Sequence, residues 1–106
     1  MGCGMATSAR FEGQEAIRAF FKRASQRLPF AIHQVLNPII EVNGDTAHGT
    51  WYLFQACTQK EGAIWVAGVY EDDYVKVNGR WKYKKLTVTF KFWTPFDQGW
   101  AMQRFV

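Results

Sequence analysis

Tyr74-Val75-Lys76-Val77-Asn78-Gly79-Arg80-Trp81-Lys82-Tyr83-Lys84-Lys85-Leu86-Thr87-Val88-Thr89-Phe90-Lys91-Phe92-Trp93 is the stretch whose reading decides how this chain folds. Asn-Gly suits the two positive-φ positions of a tight hairpin turn, and β-branched and aromatic residues flank it on both sides. The passage is therefore predicted as a hairpin of two long strands, 63–77 and 80–93. In the second strand Lys82, Lys84, Leu86, Val88, Phe90 and Phe92 alternate with Trp81, Tyr83, Lys85, Thr87, Thr89 and Lys91, and the two faces exchange polarity half-way along. Such an exchange predicts a long, bent strand of a curved sheet.

Upstream, the same period of two runs from Ala31 to Val42 and from Thr46 to Gln55, joined by a turn at Asn43-Gly44-Asp45. Pro38 lacks an N–H, so the first of these strands is expected at a sheet edge or with a bulge. Thr58-Gln59-Lys60-Glu61-Gly62 reads as a polar loop, Thr94 to Gly99 as a turn, and Trp100 to Val106 as a tail or strand fragment. Before the strands, Ile17, Phe20, Phe21 and Ala24 fall at i, i+3, i+4 and i+7, which places one amphipathic helix over 14–27. Residues 1–13 show no period and are expected as a flexible leader, leaving 14–106 as a single domain. The predicted class is α+β: one helix packed on a strongly curved antiparallel sheet of four or more strands, a cone-shaped, cystatin-like half barrel.

The chain has 106 residues, 48% of them apolar and 17% aromatic, which is enough oily side chain for one core and argues against a disordered or fibrous chain. Nothing in it approaches the roughly 20 apolar residues of a membrane-spanning helix, so a cytoplasmic protein without membrane contact is expected. Cys3 and Cys57 suit neither a disulfide framework nor a zinc site, and no metal or cofactor is expected. The net charge of +4 gathers at Lys76, Arg80, Lys82, Lys84, Lys85 and Lys91, where alternate lysines suit the wet face of a strand better than a nucleic-acid site.

Four segments taken in order resemble the SnoaL-like members of the nuclear-transport-factor-2-like superfamily. They are Gly13 to Phe21; Ile32-His33 with Asn37-Pro38, Ile40, Val42, Gly44-Asp45 and Ala47; Gly68, Tyr70, Asp72 and Tyr74; and Asn78-Gly79 with Trp81-Lys82-Tyr83. The pattern is nearest to the scytalone dehydratase and hexachlorocyclohexane dehydrochlorinase branch. The resemblance implies a cone with an internal pocket. It also implies two further helices ahead of Gln14, for which the first thirteen residues offer no candidate. An uncovered apolar stretch would then favour a homo-oligomer, a dimer or larger.

In that branch a histidine matching His33 is a general base, oriented by an aspartate on the first helix, and a basic residue matching Lys85 assists the leaving group. His33 lies by alternation on one face with Val35, Asn37, Ile39 and Glu41, as a pocket wall requires, and it equally suits a structural histidine bonded to backbone. His48 is explained by a polar strand face. One of Asp72 and Asp73 must point inward, where it would restore a dyad with His33; alternatively, both pair with lysines across the Asn78-Gly79 hairpin. Asn37, Trp51, Tyr52, Trp65, Tyr70 and Tyr83 are the candidate ligand contacts, by ring stacking or hydroxyl donation. The expected function is a binding or assembly module for a small hydrophobic or aromatic molecule, without full catalytic machinery. The alternative is a cofactor-independent lyase or isomerase with His33 as base.

Overall fold

The computed structural model describes residues 8–106. Its elements, in chain order, are β1 (Ser8–Glu12), α1 (Gln14–Arg27), β2 (Phe30–Asn43), β3 (Thr46–Gln59), β4 (Gly62–Val77), β5 (Arg80–Pro95) and α2 (Gly99–Met102). β2 to β5 form an antiparallel meander, and β1 adds to the far side of β5, giving the order β1-β5-β4-β3-β2. The sheet is open, with β1 and β2 as its edges, so the expected half barrel is not closed.

Three two-residue turns set the meander. Gly44-Asp45, Lys60-Glu61 and Asn78-Gly79 join successive strands, and both residues of the last turn have positive φ, 53° and 78°. Lys60 and Glu61 do the same without glycine, at 50° and 65°. The polar loop expected over 58–62 is thus a tight turn between strands that pair through Gln59↔Gly62. A positive φ costs a residue with a Cβ roughly 1 kcal/mol or more, and the long paired strands on either side hold the strain.

Pro38 sits on the edge strand, and the β2–β3 register slips between Leu36 and Ile39, with Asn37 at φ 46°. Both devices expected of a strand proline are therefore present. The polarity exchange in β5 has an equally local origin. Asp73 pairs with Lys85 but Tyr74 with Tyr83, so Lys84 is an extra residue that bulges out; Lys91 is a second, between Phe92↔Ala67 and Phe90↔Gly68. Each bulge turns the side chains beyond it to the other face.

Two expectations need correction. The sequence predicts residues 8–12 as part of a flexible leader, but they pair with β5 from Ser8↔Thr89 to Glu12↔Lys85. The pattern Ser8-Ala9-Arg10-Phe11-Glu12 holds only two alternations, too few to separate an edge strand from loop. Phe11 is what secures it, by stacking on Phe20 of α1 with centroids 4.4 Å apart. The rest of the expected leader, with Cys3, lies outside the described residues. The second correction is α2, so the helix at 14–27 is not the only one. It forms where a tail was expected, and Phe105 then returns to bridge Trp93.

α1 buries Ile17, with Phe20 and Ala24 half-buried beside it. Beneath lie Leu53 and Cys57 of β3, Ile64, Val66 and Tyr70 of β4, and Leu86, Val88 and Trp93 of β5. The core is thus one face of three central strands. β2 is exposed along its whole length, on both faces.

Candidate functional site

Where the core thins toward the β2–β3 and β4–β5 turns, its face opens into a cavity of about 240 Å³. The walls are Phe21 of α1, His33 and Val35 of β2, Trp51 of β3, Tyr70 and Asp72 of β4, and Tyr83 and Leu86 of β5. The bulge at Lys84 is what lets Tyr83 and Leu86, three apart in sequence, share that wall. Aromatic rings and aliphatic chains supply most of the lining, with few polar groups, as suits a small, largely apolar molecule.

Asp72 is the unusual polar group. It is 3% exposed. Tyr74 donates from its hydroxyl to Asp72 Oδ2 at 3.1 Å, and Trp51 Nε1–H donates to the Tyr74 oxygen at 3.0 Å. Asp72 Oδ1 is buried without a partner. Burial disfavours the charged carboxylate and pushes Asp72 up to about 6; the Tyr74 hydrogen bond opposes the shift. His33 Nε2 and the Tyr70 hydroxyl lie 3.3 Å apart, hydrogen-bonded. Partial burial of the imidazole lowers the His33 pKa, and burial raises that of Tyr70. Around neutral pH the site therefore offers a neutral imidazole, a protonated phenol and a carboxyl close to its own titration point.

The placement of the other candidates is mixed. Trp51, Tyr70 and Tyr83 line the cavity with His33. Asn37 occupies the β2 bulge and is not part of the wall. Tyr52 and Trp65 lie on the opposite face of the sheet, where Trp65 stacks on Phe54 at 5.4 Å and meets Phe96 at a tilt, 6.0 Å away. Lys85 is also on that opposite face, paired with Asp73 at 3.3 Å, so the structure does not bring it to His33. A cation beside the reacting group is thereby removed from this cavity. Of the two aspartates, Asp72 points inward but forms no dyad with His33, whose ring meets Tyr70 instead, and Asp73 pairs across the strands with Lys85.

Asp73 also holds His48, with Nδ1 to Oδ1 at 2.7 Å, and Glu71 lies 3.8 Å from Nε2. The hydrogen bond to Asp73 is the main cause of a raised His48 pKa, and it lowers that of Asp73 in turn. His48 and Asp73, with Glu41, Lys84 and Lys85, rim an outer cavity of about 360 Å³. It is larger than the inner one and the two are similarly open, but it is charged on both signs, which describes a solvated ion-pair cluster. Among the described residues no group of three His, Cys, Asp or Glu side chains is arranged to hold a metal ion.

Val35 was placed beside His33 on the pocket face, but sequence reasoning missed Phe21, Tyr74 and Leu86 as parts of the site. Tyr74 was legible through the alternation Tyr70, Asp72, Tyr74. Leu86 was not, because a bulge of one residue has no mark of its own in sequence.

Comparison with known families matches residues 4–87 to the SnoaL-like domain. No curated protein matches the chain.

Proposed function

The chain belongs to the SnoaL-like domain family, and from that premise we propose that it binds a small, flat, mainly apolar carbonyl compound and moves a proton on it without a cofactor, as an isomerase or lyase. The observation that carries this reading is Asp72: a buried carboxyl with one unpartnered oxygen, in the wall of an aromatic cavity, beside a tyrosine hydroxyl bound to an imidazole.

The chemistry follows from those atoms. Ionised Asp72 takes a proton from the carbon next to the carbonyl through Oδ1; the C–H bond breaks and its electron pair becomes the enolate double bond. Charge develops on the carbonyl oxygen, where the Tyr70 hydroxyl donates a hydrogen bond while His33 Nε2–H donates to the Tyr70 oxygen. Return of the proton at another carbon gives an isomer, and departure of a β-substituent gives elimination. A buried carboxyl poised near 6 is a better base than an ordinary one and still ionises at neutral pH. The role of His33 shifts accordingly, from base to partner of the donating phenol.

The probe is 2-tetralone, a flat ketone with exchangeable α-hydrogens, incubated in heavy water and followed by proton NMR. Wild-type protein accelerates exchange, and Asp72→Asn lowers the rate by about 100-fold or more. Binding without exchange would instead favour the second reading, a binding module that performs no chemistry. That reading is supported by the hydrogen-bond partner of His33, a phenol and not a carboxylate. Failure of 2-tetralone to perturb cavity resonances at all would sink both.

The same proposal makes the chain a homo-oligomer. Ile32, Leu36 and Ile39 of β2, with Tyr52 and Phe54 of β3, stand exposed on the sheet face opposite the core, a continuous apolar patch of the kind that usually lies in an interface.

A further inference from the structure

The two oxygens of Asp72 are in opposite circumstances. Oδ2 accepts from Tyr74, whose own oxygen accepts from Trp51, while Oδ1 is bare. Gly49 stands directly across the β3–β4 ladder from Asp72. Its backbone does not adopt positive φ, so space and not conformational freedom explains the residue. A Cβ there would come to 3.0 Å from both Trp51 Nε1 and Tyr74 Cε2, and to 3.2 Å from the Tyr74 oxygen. Any side chain at position 49 would thus press on Tyr74, which bonds Asp72, and on Trp51, which bonds Tyr74.

We propose that Tyr74, steadied by Trp51 in the space Gly49 leaves, is a positioning residue that occupies Asp72 Oδ2 and so makes Oδ1 the single oxygen through which Asp72 exchanges a proton with a ligand. The inference rests on the reading of Asp72 as the proton-transfer group. A hydroxyl donating to Oδ2 favours the ionised form and so keeps a deeply buried acid able to act as a base. It also fixes the rotation of the carboxyl plane. Without it the two oxygens would be interchangeable, and neither would be held as the single basic one. The other titratable groups facing Asp72 are Tyr70, His33 of β2 and Tyr83 of β5, and the charges of Asp73 and His48 act from beyond the sheet.

The test is a carbon-13 NMR titration of the Asp72 carboxyl in the ligand-free protein. Tyr74→Phe keeps the ring and removes the donor, and the expected result is a rise in proton affinity of about tenfold. Trp51→Phe keeps an aromatic body and removes the N–H; it shifts the titration the same way by less. Gly49→Ala, which adds only a methyl group, follows Tyr74→Phe. The pH profile of 2-tetralone exchange moves in step with the carboxyl in each variant. An unchanged Asp72 titration in folded Tyr74→Phe would overturn the proposal, and if Gly49→Ala does not fold, the two conservative variants decide. Shifted titrations with no 2-tetralone exchange in wild-type protein would leave the hydrogen-bonded clamp standing and remove the catalytic reading instead.

Discussion

Asp72 and Asp73 are neighbours in the chain and opposites in the molecule. Strand geometry sends one into the core face and the other to solvent, and their acidities diverge for that reason alone: burial raises the first, and the hydrogen bond to His48 lowers the second. The sign of the consequence for stability is fixed. A carboxyl raised in the folded state binds more protons folded than unfolded between its ordinary value and about 6, so stability falls as pH rises through that window. Above it, the cost of a buried charge is present in full. Asp72→Asn is therefore expected to stabilise the fold by roughly 2 kcal/mol at about pH 7.5 and by little at about pH 4, read from urea unfolding followed by tryptophan fluorescence. Equal effects at both values would mean that Asp72 is not a buried titrating acid. His48 behaves in the opposite sense. Its pKa is raised, so Asp73→Asn should lower it in a histidine proton NMR titration. At this scale the sequence shows that one aspartate must turn inward, but not which one. The answer lies in the alternation of β4, which keeps Asp72 on the core face with Val66 and Tyr70; the bulge at Lys84 lies in β5, where it leaves Tyr83 on that face and turns Lys85 to the other.

Elements were legible where a physical rule leaves few alternatives. Asn78-Gly79 admits hardly anything but a hairpin, Pro38 needs a place that asks no N–H of it, and the helical spacing of Ile17, Phe20 and Ala24 points to a single stripe. The Lys60-Glu61 turn was hidden because neither residue favours positive φ, and only the long strands on each side force it. Replacing the pair by Asn-Gly is expected to raise stability by about 1 kcal/mol or more, seen as a higher thermal midpoint. Gly68 tests the other bulge. A Cβ at this position would lie 2.6 Å from the Thr89 carbonyl oxygen, a backbone atom with no freedom to retreat. Gly68→Ala should cost about 2 kcal/mol or more in chemical denaturation, because β4 and β5 must separate to admit it. A neutral outcome would show that the bulge at Lys91 is looser than its pairing indicates. β1 escaped notice for a different reason: five residues carry too few alternations, and their anchor, the Phe11–Phe20 stack, is a tertiary contact.

Among the described residues the apolar side chains are divided between two faces of one sheet, the inner covered by α1 and the outer left open on β2 and β3, with Phe96 and Trp100 lying over Trp65 and Phe92 alone. Light scattering at micromolar concentration is expected to show a dimer or larger assembly, and Leu36→Lys combined with Phe54→Lys, which places like charges on the outer patch, should yield monomers. A monodisperse wild-type monomer would refute the proposed oligomer. The aromatic content pointed to buried rings in general, but their division between cavity and outer face could be read only once the register was known, as Trp51 and Trp65 show. β2 has a further consequence. One side of the cavity hangs on the strand that is exposed throughout and paired along a single edge, so the jaw carrying His33 is the part of the fold least committed to staying shut. A guest that touches both Val35 and Tyr70 would act as a rivet across it, and amide protons of β2 should become slow to exchange when the cavity is filled.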